Sequence, residues 1–271
     1  MRTKYLDVHG HATFCHFLGP TTLPGVPPDL SRGRKVILIH GAGGNGNTWH
    51  YQIESLAPMH SPIALDLPGH GRSSGVEGLM SIRDYSEFLG HFLEALHIDS
   101  AVLAGWSMGG AIAMDLAQRH PARVEGLILV ATAARFTIQD EVYKQLWSVM
   151  MGRAPQAFTT DGFAKKTIKE NFNAVRELWM EQTKTDPRVR CTDVRACREV
   201  DLRESIAAIR KPSLILAGAE DVITTPADSE LIKSKIPGSR LEVIADGGHM
   251  IPVEQPAAVN TAIATFLAEL N

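Results

Sequence analysis

The stretch Ala101-Val-Leu-Ala-Gly-Trp-Ser-Met-Gly-Gly110 constrains this 271-residue chain more than any other. Val102 and Leu103 belong to a short apolar run that reads as a buried strand. From Ala111 the spacing of Ile112, Leu116 and Ala117, with Met114 on the opposite face, reads as a helix up to Pro121. Gly105, Ser107, Gly109 and Gly110 stand where strand gives way to helix. A serine there occupies a sharp, strained turn, and the glycines two before and two after remove side chains that would clash. The hydroxyl is lifted off the sheet with a helix N-terminus beneath it. Five residues can also be a glycine-rich turn holding an incidental serine, so the rest of the chain must decide.

The flanking sequence supplies the context such a turn needs. Residues 4–18 alternate around His9-Gly10, the pattern of a β-hairpin. Val36-Ile-Leu-Ile39, Ile63-Ala-Leu65, Gly126-Leu-Ile-Leu-Val-Ala131, Pro212-Ser-Leu-Ile-Leu-Ala-Gly218 and Leu241-Glu-Val-Ile244 read as further strands. Between them, Trp49, Ile53 and Leu56 have helical spacing. Ser81 with Asp84 resembles a capping box ahead of Ile82, Tyr85, Leu89, Phe92, Leu93 and Leu96. Thr225-Pro226 and Gln255-Pro256 open two more helices. Alternating strand and helix predicts an α/β fold: a mostly parallel sheet of about eight strands with helices on both faces.

The rhythm breaks near Arg135. Residues 136–204 carry amphipathic helical stretches, such as Val142, Leu146, Val149 and Met150, and later Phe172, Val175, Leu178 and Trp179, without a buried-strand run. They are expected to form a helical insertion over the C-terminal edge of the sheet. That makes residues 1–135 and 205–271 the core. Within the insertion, Trp147 and the Met150-Met151 pair are expected to be its packed interior, with walling an acyl pocket as the alternative.

Bulk properties exclude several classes of function. A net charge of −3 offers no general attraction for nucleic acid or an anionic membrane. The first residues lack the apolar run of a signal peptide, and no stretch is apolar for long enough to span a bilayer. Cys15, Cys191 and Cys197 lack CxxC spacing, which suggests reduced thiols in a cytoplasmic protein rather than disulfides or a zinc site. His9 and His11 form a lone HxH in the hairpin and are read as ordinary turn residues, so no metal is expected.

Functional groups in an open parallel sheet collect beyond the carboxyl ends of its strands. Here those ends present His40-Gly-Ala-Gly-Gly44, Asp66, Ser107, Asp221 and His249. A serine, an acid and a histidine thus follow apolar strands in that chain order. A serine hydroxyl is a poor nucleophile at neutral pH and needs a base within hydrogen-bond reach. The base needs an acceptor that fixes its tautomer and stabilises its protonated form.

On these residues the chain resembles the α/β-hydrolase fold family. The resemblance rests on His40-Gly-Ala-Gly-Gly44, Asp66-Leu-Pro-Gly-His-Gly-Arg-Ser73, Gly105-Trp-Ser-Met-Gly109 and Gly247-Gly-His249 followed by Glu254-Gln-Pro256. It implies Ser107 as nucleophile, His249 as general base and then acid, and Asp221 as the orienting carboxylate. It also implies an oxyanion hole from the amides of Ala42 and Met108, and a cap at residues 136–204. Asp66 competes for the acid role, but its Pro-Gly-His-Gly loop reads as a structural turn. Ala131-Thr-Ala-Ala134, another place where the family carries the acid, holds no carboxylate. His40 is expected to brace the oxyanion loop and His70 a turn; Trp106 either lines the pocket or packs behind the elbow, the second being favoured for a neighbour facing away.

Serine at 107 disfavours the family's aspartate-dependent dehalogenase and epoxide-hydrolase branches and suits attack on a carbonyl. The expectation is a cofactor-free serine hydrolase that cleaves a small carboxylic ester through an acyl-enzyme. The same triad serves C–C bond hydrolysis of diketone-like ring-cleavage products, enol-lactone hydrolysis and demethylation of an acyl-carrier-bound methyl ester. For the last, Arg188, Arg190, Arg195 and Arg198 would form the docking face for an acyl carrier protein. A perhydrolase side activity fits the same site. A ligand receptor that retains the triad is the non-enzymatic alternative.

Overall fold

Five of the expected strands are so apolar that only a position inside a sheet covered on both faces can hide them. The computed structural model describes residues 1–270 and places them there. In chain order the elements are β1 (Arg2–Val8), β2 (His11–Phe17), β3 (Lys35–Ile39), α1 (His50–Leu56), β4 (Ser61–Leu65), α2 (Ile82–Ala95), β5 (Ala101–Trp106) and α3 (Met108–Arg119). Then come β6 (Val124–Val130), α4 (Asp140–Met150), α5 (Lys165–Glu170), α6 (Phe172–Gln182), α7 (Pro187–Glu199), β7 (Ser213–Gly218), α8 (Pro226–Lys235), β8 (Arg240–Ile244), α9 (Ile251–Glu254) and α10 (Pro256–Glu269).

The eight strands form one sheet in the order β1-β2-β4-β3-β5-β6-β7-β8. β1 and β2 are the antiparallel hairpin, and β2 pairs antiparallel with β4. All remaining pairings are parallel. The hairpin turns through His9 and Gly10 with φ of 49° and 85°, the two positive values that a right-twisted two-residue turn requires.

Alternate residues of the central strands feed two separate cores. Ile37, Ile39, Leu103, Leu127, Leu129 and Ile215 pack with α2, α3 and α8 on one face. Val36, Leu38, Val102, Ala104, Ile128 and Leu214 pack with α1 and α10 on the other. Every residue of α3 from Met108 to Ala117 is buried, and this stretch is apolar all round apart from Asp115, whose carboxylate takes bonds from Arg119 and Ser86. At the start of α2, the Asp84 amide bonds the Ser81 hydroxyl at 3.1 Å, but the Asp84 carboxylate returns to that hydroxyl instead of the Ser81 amide. Only half of the expected capping box forms.

Strand order reverses at β3. From β3 the chain crosses to β4 on one side, and from β5 it continues to β6 on the other. The loops leaving β3 and β5 therefore diverge and leave a crevice between adjacent strand ends, where Ile39 is in register with Gly105. Between β6 and β7 the chain forms α4 to α7. α4 buries none of its residues. Trp147 and Met151 are about half exposed, contrary to the expected packed interior, because the apolar stripe of α4 that matters is Val142, Leu146 and Val149, which faces a cavity.

Candidate active site

The strand-to-helix turn at Ser107 is built by exclusion. A Cβ on Gly105 would stand 2.2 Å from the Gly109 carbonyl oxygen, and one on Gly109 would stand 2.2 Å from that of Ile39. Only glycines allow the start of α3 to sit this close to β3 and β5. Ser107 itself adopts φ 54° and ψ −119°, a strained conformation for a residue with a side chain. Three hydrogen bonds hold it there. Its amide donates to Val130 O at 2.9 Å, and its carbonyl accepts from Thr132 Oγ1 at 2.6 Å and Gly110 N at 2.9 Å.

The structure brings the three sequence-predicted side chains together. His249 Nε2 lies 3.0 Å from Ser107 Oγ, and His249 Nδ1 lies 2.9 Å from Asp221 Oδ2. Asp221 is buried and also accepts from the amides of Ile223 at 2.8 Å and Thr224 at 2.9 Å and from the Thr224 hydroxyl at 2.8 Å. Burial pushes its carboxyl up, but the hydrogen bond and charge of His249, with the two amides, outweigh that and hold it below the usual carboxylate range. An ionised Asp221 fixes a proton on Nδ1 of His249 and leaves Nε2 free to face the serine.

His249 sits in a loop that needs its own supports. Its amide donates to Gly162 O at 2.7 Å, and Trp106 Nε1 donates to its carbonyl at 2.8 Å. Trp106 is thus buried, as expected, yet it also lines the cavity. Glu254 Oε1 accepts from Gly248 N and Met250 N, both at 3.0 Å, while Oε2 accepts from Ala164 N at 2.7 Å. One carboxylate therefore pins both neighbours of His249 and ties them to the helical segment. Sequence reasoning quoted Glu254 without giving it this role; a glutamate between apolar Val253 and the helix-opening Pro256 was the available signal.

The loop after β3 is held from two sides. His40 is buried, with Nδ1 2.8 Å from Gly41 O, and it accepts the Leu67 amide at Nε2 over 3.1 Å. One nitrogen donates and the other accepts, so the ring is neutral. Burial above all, with the charge of His70, depresses its pKa to about 4. On the other side, Gly43 N donates to Asp193 Oδ2 at 2.8 Å. Ala42 lines the cavity beside Ser107 and Met108 directly follows Ser107, and neither amide donates to another group among the described residues.

Asp193, on α7, was not singled out in the sequence. It is fully buried and accepts from Gly43 N, from His70 Nε2 at 2.7 Å and from the Tyr85 hydroxyl at 2.6 Å. The other nitrogen of His70 faces Pro68 O at 3.0 Å. Both partners of His70 are acceptors, so both nitrogens carry protons and the ring is an imidazolium. Burial pushes this imidazole down, but the charge and hydrogen bond of Asp193 outweigh it and raise the pKa above the ordinary histidine value. A carboxylate on the same helical stripe as Val189, Ala196 and Cys197 was the sequence signal for a buried acid. Asp66 instead satisfies a turn, accepting from Gly46 N at 2.7 Å, Arg72 N at 2.9 Å and His16 Nε2 at 3.1 Å.

These groups open on a cavity of about 270 Å³. Gly41, Ala42, Ser107 and His249 line its base, and Val142, Leu146 and Val149 of α4 and Val194 of α7 line the helical side. Among the described residues one group could share a cation, His9, His91 and Glu94, with donor atoms within 4.8 Å of one another. It lies on the hairpin turn and α2, outside the cavity. Among the described residues no helix is long and apolar enough to cross a membrane.

A strained serine at the strand-to-helix turn, a histidine on its hydroxyl and an acid behind the histidine, on a sheet of this order, define a hydrolase architecture. The chain belongs to the alpha/beta hydrolase fold family, whose model matches residues 35–256. It is 30% identical over 251 residues to a pimeloyl-[acyl-carrier protein] methyl ester esterase of Yersinia enterocolitica, covering 87% of this chain and 94% of that one. A hydrolase from Pseudomonas aeruginosa PA01 superposes with a TM-score of 0.83 at 25% identity over 98% of both chains. An enol-lactonase from Burkholderia xenovorans LB400 shares the fold with a TM-score of 0.83 at 22% identity, over 98% of this chain and 100% of that one.

Proposed function

We propose that the protein is a serine esterase in which Ser107, His249 and Asp221 form the catalytic triad and the amides of Ala42 and Met108 form the oxyanion hole. Ser107 Oγ attacks the ester carbonyl while His249 Nε2 takes its proton. The negative oxygen accepts hydrogen bonds from the two amides, and the imidazolium is stabilised by Asp221. Collapse of the tetrahedral intermediate expels the alcohol, which takes the proton from His249. Water, deprotonated by His249, attacks the acyl-enzyme, and the carboxylic acid leaves as the proton returns to Ser107. No step calls for a group that the chain does not carry.

The observation that carries this reading is the Ser107–His249–Asp221 chain opening on a cavity that Ala42, whose amide is unspent, also lines. Residues 136–204 act as a cap, supported by the α4 and α7 side chains that roof Ser107. Cytoplasmic residence belongs to the same reading, supported by three buried free cysteines. Wild-type protein should hydrolyse short 4-nitrophenyl esters and accept a fluorophosphonate on Ser107. Ser107→Ala should lose about a million-fold in kcat. Full activity and labelling of the Ser107→Ala protein would refute the assignment.

A carrier-bound methyl ester is the second reading, favoured by the activity of the Yersinia enterocolitica relative. The arginines expected to dock a carrier divide in two. Arg188, Arg195 and Arg198 pair with Asp186, Glu199 and Asp140 on the protein's own surface, whereas Arg190 turns into the cavity. Exposed pairs of this kind are weak and can exchange partners. Charge reversal at 188, 195 and 198 should slow a carrier-bound ester and spare a free one; equal loss on both removes this reading.

A further inference from the structure

We infer that Arg190 is an anion-binding residue of the cavity, and that the ester this protein cleaves carries a free carboxylate besides the scissile bond. The inference rests on the esterase reading of Ser107 and adds to it the chemical class of substrate.

Arg190 differs from every other arginine of α7. Arg188, Arg195 and Arg198 each hold a carboxylate of this chain. The Arg190 guanidinium has no hydrogen bond and no ion pair with any described residue, although it is partly buried and lines the same cavity as Ala42, Ser107 and His249. Of its acidic neighbours along the helix, Asp186 pairs with Arg188, and Asp193 is already engaged by Gly43, His70 and Tyr85. Among the described residues no Asp or Glu lines the cavity.

Its placement is constrained rather than incidental. A Cβ on Gly43 would lie 2.9 Å from Arg190 Cγ and 3.1 Å from Cδ, so the arginine stem rests directly on the loop that carries Ala42. Gly43 adopts φ 66°, a conformation that already favours glycine. The stem thus aims a five-donor fork into a chamber that apolar side chains line together with neutral ones such as Gln145, Gln156, Gln182 and Thr185. An unpaired guanidinium is costly to keep out of water, and a carboxylate matches its planar fork with two parallel hydrogen bonds. The remaining walls, among them Val142, Leu146, Val149 and Val194, suit the short methylene chain that would join that carboxylate to the scissile carbonyl.

The test compares two 4-nitrophenyl esters of adipic acid, one with its far carboxylate free and one with it capped as the methylamide. Wild-type kcat/KM should favour the free acid by about 10- to 100-fold, the range for a hydrogen bond to a charged group. Arg190→Gln should bring that ratio close to one, and Arg190→Lys should keep part of it, since charge survives but the fork does not. A wild-type ratio at or below one overturns the proposal. So does an unchanged ratio in Arg190→Gln, which would make the arginine a general stabiliser of the reaction or a packing element. Calorimetry on Ser107→Ala with adipate and with neutral adipamide decides the question without turnover or an Arg190 variant. Tighter adipate binding supports the proposal, and equal binding removes it. If neither ester is cleaved, the esterase reading falls while that binding comparison still judges Arg190.

Discussion

Replacing Asp193 by asparagine removes one charge and leaves the volume of α7 unchanged. Three buried donors converge on this carboxylate: the Gly43 amide, the His70 imidazolium and the Tyr85 hydroxyl. Both Asp193 and His70 side chains are 0% exposed. An asparagine carries one acceptor oxygen where the aspartate has two. If its nitrogen faces His70, the Gly43 amide loses its acceptor. If its oxygen does, His70 becomes a buried cation without a counter-charge, or gives up a proton and loses one of its two hydrogen bonds. Breaking a buried pair costs about 3–5 kcal/mol, and the low end applies because His70 can become neutral. A loss of about 3 kcal/mol corresponds to a fall in Tm of about 6–12 °C for a chain of this size.

The pH dependence sharpens the prediction. His70 has a raised pKa, so its pairing contributes fully below the unfolded value, about 6.5, and is lost as pH rises through the folded value. Urea unfolding of wild type and Asp193→Asn, followed by tryptophan fluorescence at pH 6 and pH 9, should therefore show the larger gap at pH 6. Turnover should fall as well, because the Gly43 amide positions the loop that carries Ala42. A stability loss below about 1 kcal/mol would refute the reasoning, since it lies within the range of an ordinary surface change. A gap of equal size at both pH values would refute the charge state assigned to His70.

Three further outcomes follow from the same geometry. Gly109→Ala places a Cβ 2.2 Å from Ile39 O and should cost about 1–3 kcal/mol by overpacking, with a fall in kcat. Gly90→Ala in α2, where nothing lies within 4 Å, should leave turnover alone and raise stability by up to about 1 kcal/mol; thermal melts and ester assays on the two variants check the contrast. His40, held neutral with a pKa of about 4, should cost about 3 kcal/mol of stability as pH falls from 6.5 to 4, because the unfolded chain takes up a proton that the folded ring refuses. Its imidazole resonances should not titrate above about pH 5, and a titration near pH 6.5 would contradict the neutral ring.

What the sequence determined by itself was everything whose cause is local. A glycine two residues either side of Ser107, apolar runs too continuous for a half-exposed strand, and prolines at helix starts each act within a few residues. They were enough to set the sheet, the strained turn and the strand ends that present Ser107, Asp221 and His249. The sequence also pointed to helices between β6 and β7, since amphipathic spacing is local too. It misjudged their faces: Trp147 looked like interior and is exposed, because a helix with two apolar sides does not announce which one meets a partner.

Only the tertiary structure decided how residues far apart in the chain share charges. Asp193 meets Gly43 across 150 positions and His70 across 123, and no pattern along the chain encodes such a meeting. Glu254 bracing His249 and Arg190 lacking any counter-charge are legible only when every neighbour is in place. A buried charge is defined by the full set of groups around it, and that set exists only once the chain has folded.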